Sequence, residues 1–171
     1  MNTHEKTPEQ EFAERLRGLA EEVGQSAGQE SLRFHTNLHI ELRGPDGELK
    51  DVRDLHNIVC TAGKNRLLLA AAGQLLSTFA YIAIGTGVTA AAITDTTLGA
   101  EVARSAVLTP TNPTSAIYQT TTTFAAGVGT GAITESGMLD AASVGNLFAH
   151  QVFAVINKGA GDTLAMTWQV S

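Results

Sequence analysis

Between Ser31 and Arg43 the chain alternates with a period of two. Leu32, Phe34, Leu38, Ile40 and Leu42 take the even positions, with Thr36 among them; Arg33, His35, Asn37, His39, Glu41 and Arg43 take the odd ones. Successive side chains on a strand point to opposite faces, so this run predicts a strand with one dry face and one wet face. "GPDGE" follows as a turn, and "LKDVRDLHNIV" returns as the antiparallel partner. The alternation reappears at the end of the chain, where Leu164, Met166, Trp168 and Val170 interleave with Ala165, Thr167 and Gln169. Further strands are predicted over 81–84, 103–108, 117–125, 132–139 and 146–156. Segments rich in turn-formers separate the later strands: "TPTNPT", "AAGVGTG", "DAASVG" and "NKGAGD". Short strands at this spacing predict a mainly β fold, an antiparallel β-sandwich or jelly roll.

Helical periodicity is confined to three places. Over residues 7–24, Thr7 can cap, Pro8 suits the first helical position, and Gln10 completes a capping box. Phe12, Leu16, Leu19, Ala20 and Val23 form one apolar stripe there. A lone amphipathic helix cannot bury its own stripe, so this arm packs back on its domain or docks on a neighbour. Phe12, Leu16, Leu19 and Val23 are therefore candidate assembly contacts. In "TAGKNRLLLAAAG", Thr61 can cap a short helix that runs to about Ala72 and stops at Gly73. "TDTTLGAEVARS" reads as a short helical or turn segment capped near Asp95, with Leu98 and Val102 at i and i+4. The resulting organisation is a helical arm over 1–30 and a β-sandwich domain over 31–171, with one or two short helices.

The charge distribution sharpens this picture. Net charge is −6 and no basic run occurs, which argues against phosphate-backbone binding, so no nucleic-acid partner is expected. Only seven charged residues lie beyond Arg66: Asp95, Glu101, Arg104, Glu135, Asp140, Lys158 and Asp162. A surface so poor in charge and rich in Ala, Thr and Gly predicts burial against other subunits, hence a homo-oligomer. Leu67 to Thr94 carries no charge and is long enough to cross a bilayer, but Gln74, Ser77, Thr78 and glycines interrupt it. It reads as a short helix, a turn and a buried strand, with no membrane partner. The polar N-terminus lacks the apolar region of a secretory signal. Cys60 is the single cysteine, so no intrachain disulfide can form.

The candidate chemistry is thin. "GTGVTA", residues 85–90, matches the G-x-G-x-x-A spacing of a dinucleotide-binding turn. That site needs a helix starting at the glycines and an acidic residue about 20 residues on, and neither is indicated. Gly85 and Gly87 read instead as a structural turn, where φ > 0 or a close backbone approach excludes a side chain. His35 and His39 share a strand face but lie about 13 Å apart, too far to chelate one ion. His56 is expected near His35 across the hairpin, with Asp54 close by, as solvated histidines rather than metal ligands. Cys60 is expected to be buried and His150 to sit in or beside the core. Glu135, Asp140 and Asp162 lie in or beside predicted turns, the latter two as local hydrogen-bond acceptors. Glu101 and Arg104, at i and i+3, are expected to pair on a helix. No catalytic, cofactor or metal site is predicted, and the chain reads as a non-enzyme.

Five motifs occur in order: "HNIVCTAGKNRLL", "YIAIGTG", "DTTLGAEVAR", "GVGTGAITESGMLDA" and "INKGAGDTLAMTWQVS". Together, over about residues 31–171, they resemble a family of virion structural proteins of tailed bacteriophages. The resemblance implies a small β-sandwich on the particle surface, made in the host cytoplasm. Some similar proteins are capsid decoration (cement) proteins, often jelly-roll trimers on the head shell; others are tail or fibre components. It implies the major capsid protein or other virion proteins as partners, and it supplies no catalytic residues. A tail, baseplate or fibre role in host attachment and a carbohydrate-binding β-sandwich module are the alternatives.

Overall fold

Alternating residues become strands because each strand can turn one face to a core. The computed structural model describes residues 34–74, 79–107 and 117–171. The chain divides into two units, Met1–Arg33 and Phe34–Ser171. The arm predicted over residues 7–24, with Phe12, Leu16, Leu19 and Val23, lies outside the described residues. The described elements are, in order, β1 (Thr36–Arg43), β2 (Leu49–His56), β3 (Ile58–Val59), helix α1 (Thr61–Ala71), β4 (Tyr81–Gly85), β5 (Glu101–Ala106), β6 (Tyr118–Phe124), β7 (Gly131–Leu139), β8 (Leu147–Lys158) and β9 (Thr163–Val170).

The strands form two antiparallel sheets. The first has the order β2-β1-β9-β6 and the second β3-β8-β7-β4-β5. One apolar core joins them, the arrangement of a β-sandwich. Leu38, Ile40 and Leu42 of β1, with Leu164, Met166 and Trp168 of β9, meet Ile82 and Ile84 of β4, Met138 of β7 and Phe148 and Ile156 of β8. These are the positions that the two alternating runs assign to the dry face. Burying each such side chain fully is worth about 1.5–3 kcal/mol. Arg53 of β2 ties the sheets at one side, donating to the carbonyls of Ala154 and Val155 in β8. Thr122 of β6 does so at the other, donating to Ala106 O of β5 at 2.9 Å.

Several expectations are corrected. "LKDVRDLHNIV" is not one strand: the chain leaves the first sheet after His56 and enters the second at Ile58. Thr61 does not cap α1. Cys60 is the N-cap, without a side-chain cap bond, and the Thr61 amide donates to Ile93 O at 2.8 Å. Gly73 follows the helix at φ +70°, as its stop role requires.

No helix forms near Asp95. Residues 86–100 are a loop, and Glu101–Ala106 is strand β5. Leu98 is buried while Val102 is exposed, so the i, i+4 pair shares no face. Glu101 and Arg104 do pair, at 2.6 Å, but on a strand. Ile84 faces Ala103 and Gly85 faces Glu101, so Val102 is an extra residue. That bulge turns Glu101 onto the face of Arg104.

Candidate functional site

The outer face of the second sheet is covered by the loop 86–100, which crosses it as a strap. Leu98 packs there with Cys60, Ala83, Leu139 and Leu147 in a second, smaller apolar cluster. The polar ties centre on Glu135, which lies inside β7 and is 1% exposed rather than placed beside a turn. Its Oε1 accepts from the backbone N–H of Gly87 at 2.9 Å and of Ala100 at 2.7 Å, and its Oε2 from that of Gly99 at 2.9 Å. His150 of β8, buried as expected, places Nε2 3.0 Å from Glu135 Oε2 and Nδ1 2.7 Å from Asp95 Oδ2. Asp95 also accepts from the Ala92 N–H at 2.8 Å. Thr134 donates to Gly87 O at 2.7 Å. The loop is thus held at both ends and in its middle.

This geometry explains the glycine pair. Neither Gly85 nor Gly87 has a left-handed φ. A Cβ on Gly85 would run into Glu135 Oε1 and Ala100 O, and one on Gly87 would lie 2.5 Å from Glu135 Oε1. Close approach is therefore the reason for both glycines. The turn does cradle an anion with backbone amides, as a dinucleotide turn would, but the anion is the chain's own carboxylate. Burial alone would raise the Glu135 pKa; the amides of Ala100, Gly99 and Gly87 and the His150 contact outweigh it and hold the carboxyl below its ordinary value. Asp95 is held low in the same way, against its own burial, by the Ala92 amide and His150.

A carboxylate–imidazole–carboxylate row can serve as a general base, but both nitrogens of His150 already face carboxylates. Cys60 offers no nucleophile beside it. Burial, and then the Asp95 charge, push its thiol up to about 11.

The other charges of the second half also hold loops. Asp140 accepts from the Asn146 N–H at 2.7 Å and pairs with Arg66 of α1 at 2.8 Å. Arg104 donates to Ala141 O at 2.7 Å and Val144 O at 2.9 Å in the same β7–β8 loop. That loop carries Val144 at φ 57°, an uncommon conformation for a β-branched residue, with its side chain in solvent. Asp162 accepts from Gly159 N–H at 2.8 Å and from Lys50 at 2.9 Å, and buried Lys158 donates to Ala125 O and Asp162 O. Asp140 and Asp162 are the local acceptors that the turns predict. All seven charged residues beyond Arg66 are engaged in internal contacts. Sequence reasoning found these residues one at a time and missed that they act together. The available signal was their scarcity.

The outer face of the first sheet is open and polar. His56, Asn37, Gln169 and Gln119 form one row across its four strands, and Asp54, His39, Thr167 and Thr121 the next. A cleft of about 460 Å³ lies over the β2-β1-β9 part of these rows. A β-bulge between Leu42 and Arg43 shifts the hairpin register by one residue, and His56 faces Asn37, two positions along the chain from His35. His56 Nδ1 lies 2.7 Å from Asn37 Oδ1, and His39 Nδ1 lies 2.7 Å from Asp54. Among the described residues, no group of three or more His, Cys, Asp or Glu is placed to hold a metal ion. No described helix is long and apolar enough to cross a membrane.

In comparisons with known proteins, the chain matches no family model, no curated protein and no solved structure.

Proposed function

We propose that this chain is a non-enzymatic structural protein of a tailed-bacteriophage particle, a capsid decoration (cement) protein that binds and stabilises the head shell. In this reading it acts as a homo-oligomer, a trimer, with the major capsid protein as partner. The strap carries the reading. Loops of this length without helix or strand are uncommon, and ordered ones usually serve function, as binding loops or active-site lids. This one is pinned by buried charges, yet Val88 stands 78% exposed and Ile93 58% exposed on it. A pre-ordered apolar loop loses little entropy on docking, which suits a protein that must seat many times on a repeating lattice. The nested pairings β1–β9, β3–β8 and β4–β7 support a jelly-roll description, since a rolled-up long hairpin pairs its strands in that order. The arm with Phe12, Leu16, Leu19 and Val23 supplies a second contact to a neighbouring subunit in this scheme.

Copy number per particle, from quantified gel bands or electron microscopy, tests the proposal. Many copies on expanded capsids, with raised resistance to heat, are expected. Val88→Asp with Ile93→Asp should lower occupancy while leaving the melting temperature of the free protein unchanged, and deletion of residues 1–28 should weaken attachment. A few copies at one vertex would move the assignment to a tail, baseplate or fibre role. Absence from particles would overturn it. A carbohydrate-binding module is the second reading, favoured by the open polar face with Asn37, His39, Asp54, His56 and Gln169; glycan-array binding lost on Asn37→Ala would establish it.

A further inference from the structure

We propose that His150 is a proton-dependent clasp on the strap. Protonated, it ties Asp95 of the strap to Glu135 of β7. Deprotonated, it releases residues 92–97, while Gly87, Gly99 and Ala100 stay bound to Glu135.

An ionised carboxylate only accepts hydrogen bonds. Both ring nitrogens of His150 lie at bonding distance from carboxylate oxygens, 2.7 Å to Asp95 and 3.0 Å to Glu135. Both contacts are hydrogen bonds only when the ring carries two protons. Loss of one proton leaves a lone pair facing an oxygen on one side. The two sides are unequal. The Glu135 side chain is 1% exposed and beyond the reach of water; that of Asp95 is 27% exposed. An unpaired contact costs least where water can replace the lost donor. The remaining proton therefore stays on Nε2, against Glu135, and the Asp95 contact fails.

The surroundings leave few other groups to titrate. Asp95 faces His150 from the strap and Glu135 from β7. Gly137 is its partner on β7 and Ile58 on β3, neither ionisable. Cys60, at the head of α1, is a neutral thiol until about pH 11, and Lys64 of α1 bears on Cys60. The released half of the strap carries exposed Ile93, whereas Val88 stays with the anchored half. Proton uptake would thus set how one of the two large apolar residues exposed on the strap is presented. The inference holds whether or not the chain belongs to a particle, because its readout is the strap of the free protein.

The test is ¹⁵N NMR of the His150 ring with amide hydrogen exchange on the full chain, from about pH 5 to 9. The expected low-pH state has both nitrogens protonated. As the ring titrates, Nδ1 loses its proton, and the amides of Asp95 and Thr61, bonded to Ala92 O and Ile93 O, lose about tenfold in protection after correction for intrinsic exchange. The amides of Gly87, Gly99 and Ala100 keep theirs. In Asp95→Asn, a substitution at the better solvated end, the step in protection should vanish. A ring that titrates without the step, a ring that does not titrate in this range, a neutral form protonated on Nδ1, or a step that survives Asp95→Asn would each overturn the proposal. Wild-type protein alone decides the first three, so a misfolded variant leaves the inference testable.

Discussion

The two sheets share one core and treat their outer faces in opposite ways. The first sheet leaves its outer face open, with polar rows that pair in water. The second covers its outer face with a strap and buries Glu135 and His150 beneath it. Both faces carry a histidine beside a carboxylate: His39 with Asp54 on the open face, His150 with Asp95 on the covered one. The chemistry is the same and the consequence is not. Asp54 is 83% exposed, so water and salt compete for its charge. Glu135 has no such competitor, and its partners are the amides that fix a loop. The contrast shows that residue type says little about a charge's role until its burial is known.

Breaking the covered face should have the largest effect. Glu135→Ala leaves three amides and a histidine without their acceptor, at a cost of about 3–5 kcal/mol. Chemical denaturation measures the loss. Added formate or acetate should restore part of the melting temperature, because the emptied cradle has the donors for a small carboxylate. An equal response of the wild type to the same salt would deny the cradle. Glu135→Gln should lie between the two, since its amide presents a donor to groups that already donate.

The glycines come next, and their order is informative. Gly85→Ala pushes a methyl against Ala100 O, a backbone atom that cannot rotate away, as well as against Glu135. For Gly87→Ala the three nearest atoms all belong to the Glu135 carboxylate, the end of a side chain that can turn. Both should destabilise by about 1–3 kcal/mol, Gly85→Ala the more. Gly99→Ala is the control: its Cβ would sit 3.5 Å from its nearest neighbours, an ordinary contact, and stability should hardly change. Equal losses at all three positions in thermal denaturation would remove close approach as the explanation.

The sequence made the frame readable and left the strap hidden, for a physical reason. Alternation in β1 and β9 is local, so the residues that declare the strand are the ones that form it. The core positions Leu164, Met166 and Trp168 of β9 follow directly. The switch of sheets at Asn57 is less visible, because both sides of it read as strand. The strap is set by Glu135 and His150, at least 35 residues away in the chain from its amides and Asp95. No window over 86–100 contains them. Gly85 and Gly87 were legible as a place where no side chain fits, but not that a carboxylate fills the space.

Acid sharpens the contrast between the faces. Glu135, Asp95 and Asp140 all have folded pKa values below their ordinary ones, despite burial that acts the other way. A depressed carboxylate contributes stability that is fully present above its unfolded pKa, near 4, and is lost as pH falls through the lower folded value. The melting temperature should therefore drop below about pH 4, and hydrogen exchange should show the strap and the β7–β8 loop opening early in that descent. Asp140→Asn should shorten the descent and lower stability at neutral pH by about 1–3 kcal/mol, because Arg66 and the Asn146 amide lose their charged acceptor. An acid limb unchanged in that variant would assign the effect to other groups.

The open face should give the smallest response, with the opposite sign in pH. The hydrogen bond that His39 donates to Asp54 raises the His39 pKa, burial lowers it, and Glu41 adds a further rise; the net shift is upward from 6.5. Stability from this pair is fully present below that value and fades as pH rises through the folded one. Its size is limited, because the His39 side chain is 39% exposed and Asp54 is almost wholly in water. His39→Ala or Asp54→Asn should change stability by less than about 1 kcal/mol, and by less still in high salt. A double-mutant cycle in denaturant checks this. A coupling as large as that of the buried row would mean that the open face is covered in solution, and the contrast between the two sheets would fail.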